Sequence, residues 1–276
     1  MSLGLNLEPC LAAGQPSRAW FRVPVPRPGA AWRILCLPHA GGSASFFQPW
    51  AKVLPEDAEL VVVQYPGREE RIEEACIDDM AAMVAALAQA LGQMPALLAK
   101  PYVLFGHSMG AAVAYELCLA LQRRRLPLPC GLAVSASEGP GRARPGTLHS
   151  AADAALLADV VRLNGRLEHL LASPELAALV LPALRSDYRL IETYAAAPPA
   201  FAPVHVPVLA LIGREDGELG EDDARAWARV GRRGFALQAF PGGHFYLSGC
   251  YPALSKRLAR LAAARLPWHP ADSPLP

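Results

Sequence analysis

The chain has 276 residues, of which 53% are hydrophobic and 18% are charged, and its formal net charge at pH 7 is +1. A chain of this length can bury one large core, so we predict a single α/β domain over residues 1–276. The near-zero net charge argues against nucleic acid as the main partner. Charged and polar residues interrupt every apolar run before the roughly 20 residues that a bilayer-spanning helix needs, so we expect no membrane partner.

The first residues and the cysteines indicate the compartment. Residues 1–19 lack a charged start followed by an apolar run, and Glu8 and Pro9 lie in their middle. This stretch does not resemble a secretory signal, so we predict a cytoplasmic protein. The cysteines form no C-x-x-C pair, which favours buried thiols over disulfides or metal ligands. They are Cys10, Cys36, Cys76, Cys118, Cys130 and Cys250.

Short apolar strands alternate with helical patterns along most of the chain. The predicted strands are 33–37, 60–65, 102–105, 131–135, 206–213 and 235–240, with an edge strand near 20–25. A helix is predicted over 46–53, and another begins at an N-cap on Asp78 and ends at Leu91. Strands separated by helices indicate a mostly parallel, doubly wound sheet.

Residues 138–203 break this alternation because their pattern is helical between two sheet strands. Open α/β sheets bind ligands at the carboxyl ends of their strands. We therefore predict that this insertion forms a helical lid over that edge. Its apolar stripes could equally serve only to complete the core. The proline-rich residues 267–276 are expected to form a flexible tail.

One serine lies in a turn that favours nucleophilic chemistry. The motif Gly106-x-Ser108-x-Gly110 follows an apolar strand and precedes an alanine-rich helical stretch. Glycines on both sides let the strand and helix backbones approach closely, and the strained turn exposes the serine hydroxyl. This strand, turn and helix context predicts that Ser108 is the nucleophile of an α/β-hydrolase fold.

A serine nucleophile needs a base and an orienting acid, which in α/β-hydrolases follow the serine in the order acid, then histidine. His244 lies on a glycine-flanked loop just after the last predicted strand, and Asp216 follows the strand before it. We predict these two as base and acid. Glu138, which follows an earlier strand, remains a rival acid. Other carboxylates of the later loop are expected to be solvated: Glu215, Glu218, Asp222 and Asp223.

The reaction also needs donors for an oxyanion. The loop after the first core strand carries residues 38–43, at the place where this fold presents a backbone N–H to the reacting carbonyl. We predict that the N–H groups of Ala40 and Met109 form the oxyanion hole. His39 is expected to fix this loop through a hydrogen bond rather than to act as a second base.

Five stretches resemble type II thioesterases, the free-standing editing hydrolases of polyketide and nonribosomal peptide synthesis. They are residues 37–43, 64–71, 105–111, 181–188 with 192–194, and 242–245. The resemblance implies hydrolysis of acyl groups from the phosphopantetheine arm of acyl or peptidyl carrier protein domains. It implies no metal and no cofactor beyond the arm that arrives on the carrier, and we expect a monomer. Residues 64–71 either form a simple turn or shape the rim of the site.

Three other functions share much of this pattern: a general serine esterase or lipase, an acyl- or cyclising transferase, and a non-catalytic interaction protein on a hydrolase scaffold. A lost triad member would indicate the last of these, and the sequence retains all three. Carrier proteins are acidic near their modified serine, so basic residues at the channel mouth would steer docking. The candidates are Arg142, Arg144, Arg185 and Arg189.

Overall fold

The computed structural model describes residues 16–168, 173–196 and 201–263. The predicted flexible tail, residues 267–276, lies outside the described residues. The strands are β1 (Phe21–Arg22), β2 (Trp32–Leu37), β3 (Ala58–Val63), β4 (Tyr102–His107), β5 (Gly131–Ser135), β6 (Val208–Gly213) and β7 (Phe235–Phe240). The helices are α1 (Gln48–Val53), α2 (Met80–Gly92), α3 (Pro95–Leu98), α4 (Met109–Arg124), α5 (Asp153–Leu163), α6 (Pro174–Ala196), α7 (Glu221–Arg225) and α8 (Leu247–Ala263).

The strands form a seven-stranded sheet in the order β1-β3-β2-β4-β5-β6-β7. Only β1 runs antiparallel to its neighbour, β3, and every other pair is parallel. All residues of β2 to β6 are buried, because helices cover both faces of the sheet. The predicted α/β-hydrolase class, with a mostly parallel and doubly wound sheet, is confirmed.

The sequence patterns located most elements to within two residues. The N-cap of α2 is Asp79 rather than Asp78: its carboxylate accepts a hydrogen bond from the backbone N–H of Ala82 at 2.8 Å. The helix predicted over 46–53 is divided into a 3-10 turn (Ala44–Phe47) and α1. The predicted edge strand is reduced to the two residues of β1, which pair with the end of β3.

The strand register gathers the connecting loops at one edge of the sheet. Leu37 of β2 pairs with Gly106 of β4, and His107 of β4 pairs with Ser135 of β5. The chain therefore leaves β2, β4 and β5 at the same level. The loops that begin at residues 38, 108 and 136 lie side by side at the carboxyl edge, where ligands bind in open α/β sheets.

The inserted segment, residues 138–203, contributes α5 and α6 beside this edge. Leu156 and Leu157 of α5 pack with Leu184 and Tyr188 of α6 in a second apolar cluster, separate from the main core. Ala40, from the loop after β2, packs against the same cluster. The two helices are therefore packed against the loop at the carboxyl end of β2.

None of the helices in the described ranges has both the length and the hydrophobicity that a membrane-spanning segment needs. No cluster of His, Cys, Asp and Glu side chains that could hold a metal ion occurs among the same residues. The five described cysteines are free thiols, with Cys36 and Cys118 buried in the core. Burial raises the pKa of the Cys118 thiol to about 12 and that of Cys250 to about 11, so both stay protonated near neutral pH.

Two glycines allow β4, α4 and the end of β2 to meet. A Cβ atom on Gly106 would lie 2.0 Å from the carbonyl oxygen of Gly110. A Cβ atom on Gly110 would lie 2.2 Å from the carbonyl oxygen of Leu37. Both obstacles are backbone atoms of regular elements, which cannot move aside as a flexible side chain could. Only glycine fits at either position.

We therefore expect Gly106→Ala to lower the free energy of unfolding by at least about 3 kcal/mol, because the new methyl group forces strand and helix apart. Chemical denaturation at neutral pH measures this change. Gly29→Ala is the matched control, since nothing lies within 4 Å of its added Cβ, and it should change stability by less than about 0.5 kcal/mol. Equal effects of the two substitutions would contradict the close-approach argument.

Candidate active site

Ser108 occupies the tight turn between β4 and α4. Its φ of 54° lies in the left-handed region, which is uncommon for a residue with a side chain. The Ser108 N–H donates to the carbonyl of Ser135 at 2.8 Å, and the Ser108 carbonyl accepts from Ala111 N–H at 2.8 Å. These two hydrogen bonds stabilise the turn in its strained backbone conformation. The serine side chain lines a cavity at the carboxyl edge of the sheet.

The structure brings Ser108, His244 and Asp216 into one hydrogen-bonded chain. His244 Nε2 lies 3.0 Å from Ser108 Oγ, and His244 Nδ1 lies 2.9 Å from Asp216 Oδ2. An ionised carboxylate can only accept, so Nδ1 carries the proton and Nε2 is free to accept from the serine hydroxyl. The Asp216 side chain is fully buried, and its second oxygen accepts from Glu218 N–H at 2.9 Å.

Backbone contacts fix the acid loop and the histidine loop against each other. Arg214 N–H donates to the carbonyl of Phe240 at 2.8 Å, and Glu215 N–H donates to that of Gly242 at 3.1 Å. A Cβ atom on Gly213 would lie 2.2 Å from the carbonyl oxygens of Gly242 and Gly243. The end of β6 and the loop after β7 are therefore in backbone contact, which sets the distance between Asp216 and His244.

The rival acid, Glu138, lines the same cavity as His244, but Asp216 holds the Nδ1 position that an orienting acid needs. Burial raises the pKa of the Glu138 carboxyl, which favours its neutral form. Three of the four later-loop carboxylates that the sequence predicted to be solvated have partners: Glu215 with Gly242 N–H, Glu218 with Arg162, and Asp223 with Gly220 N–H. Asp222 is exposed.

The two predicted oxyanion donors lie beside the serine. Ala40 and Met109 both line the cavity together with Ser108. Met109 is the first residue of α4, so its N–H has no acceptor within the helix. Gly42 N–H donates to the His39 carbonyl at 2.9 Å, which closes a turn over residues 39–42. Because the peptide is trans, the Ala40 N–H points opposite to the His39 carbonyl and thus away from the inside of this turn.

The cavity has a volume of about 640 Å³. Its walls include apolar side chains of the inserted segment: Leu148, Val160, Leu163, Leu167, Leu176, Val180, Leu184 and Ile191. Charged groups form part of the lining, where Arg162 of α5 pairs with Asp159 and with Glu218 of the acid loop. The volume and the mixture of apolar walls with a few polar groups are typical of sites for small organic molecules.

Two further histidines surround the catalytic candidate. The His39 ring packs edge-on against Phe46 and Phe245, with centroids 4.6 and 4.8 Å away. Its buried Nδ1 has no hydrogen-bond partner, so ring contacts rather than a bond from this atom hold it. His107 points away from the cavity, and its Nδ1 lies 2.9 Å from Ser135 Oγ. Burial lowers the pKa of His39 to about 3 and that of His107 well below its ordinary value.

Sequence reasoning missed the side chains that tie the inserted segment to the site. Asp187 of α6 is fully buried and pairs with Arg68, and its carboxylate also accepts from Gly41 N–H. Glu192 of the same helix accepts from the backbone N–H groups of Leu148 and His149. Both acids lie on the buried side of an amphipathic helix, and a charge in such a stripe is the signal that could have identified them.

The lowered pKa of His39 predicts a dependence of stability on pH. The unfolded chain binds a proton at this residue near pH 6.5, whereas the folded chain does so only near pH 3. The unfolded state therefore binds more protons between these values, and stability falls as pH falls, by at most about 1.4 kcal/mol per pH unit for this group. Denaturation series at pH 6 and 5 should show a shallower decline for His39→Gln than for wild type.

The matched control is His205→Gln, because that side chain is exposed. It should keep the wild-type slope. An unchanged slope for His39→Gln would mean that His39 does not stay neutral in the folded protein.

Comparison with known proteins identifies the family of this chain. The thioesterase domain family matches residues 32–261. Thioesterase PikA5 of Streptomyces venezuelae is 41% identical over 235 residues, which are 84% of this chain and 81% of that protein. A probable cadicidin biosynthesis thioesterase of Streptomyces griseus is 35% identical over 253 residues, 92% of this chain and 68% of that protein.

A solved structure extends the likeness to the fold. The type II thioesterase BorB from the borrelidin biosynthetic cluster superposes with a TM-score of 0.79 at 36% sequence identity, covering 90% of this chain and all of that one. The family match over residues 32–261 contains the serine turn, the inserted segment and the histidine loop. The chain therefore belongs to the thioesterase domain family.

Proposed function

We propose that this thioesterase is a type II editing enzyme that hydrolyses acyl groups from the phosphopantetheine arm of carrier proteins in polyketide or nonribosomal peptide synthesis. The observation that carries the proposal is the Ser108, His244 and Asp216 chain at the floor of a largely apolar cavity of about 640 Å³. The relation to PikA5, which is named a thioesterase, and to BorB, which is named a type II thioesterase from the borrelidin biosynthetic cluster, supports the same assignment.

In the first half of the reaction, Ser108 Oγ attacks the thioester carbonyl and gives its proton to His244 Nε2. The N–H groups of Ala40 and Met109 stabilise the negative charge that develops on the carbonyl oxygen. The C–S bond then breaks, the acyl group stays on Ser108, and the sulfur leaves with the proton from His244. A thiol of pKa about 8.5 is a good leaving group, so the reaction depends less on acid assistance than amide hydrolysis does.

In the second half, a water molecule gives a proton to His244 Nε2 and attacks the acyl-serine carbonyl. The C–O bond to Ser108 breaks, the proton returns to Ser108 Oγ, and the free acid departs. Asp216 keeps the imidazole in the required tautomer and stabilises the imidazolium in both halves. Neither half draws on a metal or a bound cofactor.

The inserted segment supports a substrate of this kind, and we assign it the role of a lid. Its apolar side chains line the space above Ser108, where an acyl chain on a long flexible arm needs a covered and largely dry channel. A monomeric state, a cytoplasmic location and the absence of nucleic acid or membrane partners remain predictions from the sequence.

Substitution of the acid distinguishes the two carboxylates. We expect Asp216→Asn to lower kcat for a nitrophenyl ester by about 10⁴-fold, because an amide favours the wrong imidazole tautomer. Glu138→Gln should change kcat by less than about tenfold. Ser108→Ala and His244→Ala should each abolish turnover, and the double variant should be scarcely worse than either alone. The reverse ranking of Asp216 and Glu138 would move the acid to the loop after β5.

Charge reversal at the channel mouth tests whether the substrate arrives on a carrier protein. Of the four arginines proposed at the channel mouth, Arg185 is paired with Asp153, and Arg189 with Asp78. The side chains of Arg142 and Arg144 are exposed. We expect Arg142→Glu together with Arg144→Glu to raise KM for acyl-carrier thioesters roughly tenfold, because an acidic carrier is then repelled. Hydrolysis of a small nitrophenyl ester should not change.

The same assays separate the alternative functions. Wild-type enzyme should hydrolyse acyl-carrier thioesters much faster than free acyl-pantetheine or nitrophenyl esters, and added salt should slow only the carrier reaction. Reversal of Arg123 and Arg124, at the far end of α4, is the control and should leave both reactions unchanged. Equal or better turnover of free esters would indicate a general esterase, and acyl transfer to an added alcohol or amine a transferase.

A further inference from the structure

Asp187 is a fully buried carboxylate in the middle of α6. Its Oδ2 accepts from the Gly41 N–H at 2.8 Å and from Arg68 Nη1 at 2.6 Å, and its Oδ1 accepts from Arg68 Nη2 at 2.9 Å. A buried charge is tolerated only when it is paired and hydrogen-bonded, and this one has both an ionic partner and a backbone donor. One side chain of the lid thus binds both the 39–42 turn and the loop after β3.

Arg68 binds the same turn directly. Its Nη1 also donates to the Gly42 carbonyl at 3.0 Å, and its Nε donates to the Pro66 carbonyl at 3.3 Å. Burial by itself lowers the pKa of Arg68, but the charge and hydrogen bonds of Asp187 outweigh it, so the net direction is upward. Arg68 is therefore charged, and the hydrogen bonds that it donates are of the stronger, charge-assisted kind.

These contacts act on the backbone that carries one oxyanion donor. Ala40 immediately precedes Gly41, and the turn is held at Gly41 N–H by Asp187 and at the Gly42 carbonyl by Arg68. Gly41 has a φ of 72°, and a Cβ atom there would lie 2.9 Å from Leu184 Cδ1 of the same lid helix. The turn is therefore pressed against α6 as well as bonded to it. A rotation of its peptide planes would break at least one of these contacts.

We propose that Arg68 and Asp187 are positioning residues that hold the 39–42 turn so that the Ala40 N–H faces the oxyanion. The proposal deepens the function given above and rests on the assignment of Ala40 as a donor. The orientation of the Ala40 N–H then also depends on the position of α6, because this helix carries the Asp187 carboxylate. When α6 is displaced, the turn loses its fixed orientation, and the site loses one of its two oxyanion donors.

Kinetics of three variants test the proposal. Loss of one oxyanion donor lowers kcat by roughly 10² to 10³-fold, and misplacement by about 1 Å lowers it by about 10²-fold. We expect Asp187→Asn and Arg68→Gln to lower kcat for a nitrophenyl ester by about 10 to 100-fold with KM changed less than threefold. Arg68→Lys keeps the charge but not the bidentate geometry. Its kcat should lie between the kcat of these two variants and that of wild type.

A second readout reports the oxyanion hole directly. An alkyl boronic acid adds to Ser108 Oγ, whose proton passes to His244 Nε2, and the anionic tetrahedral adduct places a boron-bound oxygen where the oxyanion forms. Its inhibition constant should rise by about the same factor as kcat falls in each variant. A carboxylic acid product, which forms no tetrahedral adduct, should bind each variant within threefold of wild type.

The matched control is a second buried ion pair at the opposite edge of the sheet. Arg33 Nε lies 2.8 Å from Glu59 Oε2, both side chains are buried, and they lie near the starts of β2 and β3. Arg33→Lys and Glu59→Gln should lower thermal stability as the Arg68 and Asp187 variants do. They should leave kcat and boronate affinity unchanged, since the side-chain hydrogen bonds described for this pair go to Arg27, Ala96 and Leu97 and not to the turn.

The outcomes are distinct. If the Arg68 and Asp187 variants lose stability like the control pair and keep wild-type kcat and boronate affinity, the pair is merely structural and the proposal is wrong. If Asp187→Asn does not fold, kcat and boronate affinity of Arg68→Lys and Arg68→Gln test the proposal instead. If wild-type enzyme cleaves the small ester but not carrier thioesters, the proposed substrate fails while the ester and boronate measurements still test the positioning role.

Discussion

Three backbone segments meet at the centre of the site with room for no atom larger than hydrogen between them. The end of β2, the end of β4 and the first turn of α4 touch through Gly106 and Gly110. This contact sets the level at which the chain leaves the sheet, and it places the loop with Ala40 beside the turn with Ser108. The acid and histidine loops meet in the same way at Gly213. Positions in the site therefore depend on backbone packing before any side chain contributes.

The electrostatic surroundings of His244 suit a residue that gains and loses charge. Its ring centroid lies 5.5 Å from that of His107, and the His107 centroid in turn lies 5.7 Å from that of His39. Burial keeps both of these imidazoles neutral. An imidazolium on His244 thus meets no like charge from them, and Asp216 stabilises it at 2.9 Å. The neighbouring rings do not repel an imidazolium on His244, because burial keeps them uncharged although they lie close to it.

The sequence was sufficient for features with local causes. Alternating apolar strands and helices predicted the sheet, and the glycines around Ser108 predicted a turn that the structure has at φ 54°. The length of the edge strand and the N-cap of α2 were predicted less accurately. Tertiary pairing with β3 limits β1 to two residues, and two adjacent aspartates could each have served as the cap. The contact of Arg68 with Asp187 could not be predicted, since the two residues are 119 positions apart and only the assembled fold brings them together.

The protonation state of the cysteine thiols matters in an enzyme that cleaves thioesters. Each turnover releases a free thiol, and thiols exchange with disulfides and metals through their thiolate form. Burial raises the pKa of all five described cysteines, namely Cys36, Cys76, Cys118, Cys130 and Cys250. These five cysteines thus offer few thiolates that would compete with the liberated arm for an added disulfide reagent. A colorimetric thiol reagent added during turnover would accordingly react with the product thiol sooner than with these five cysteines.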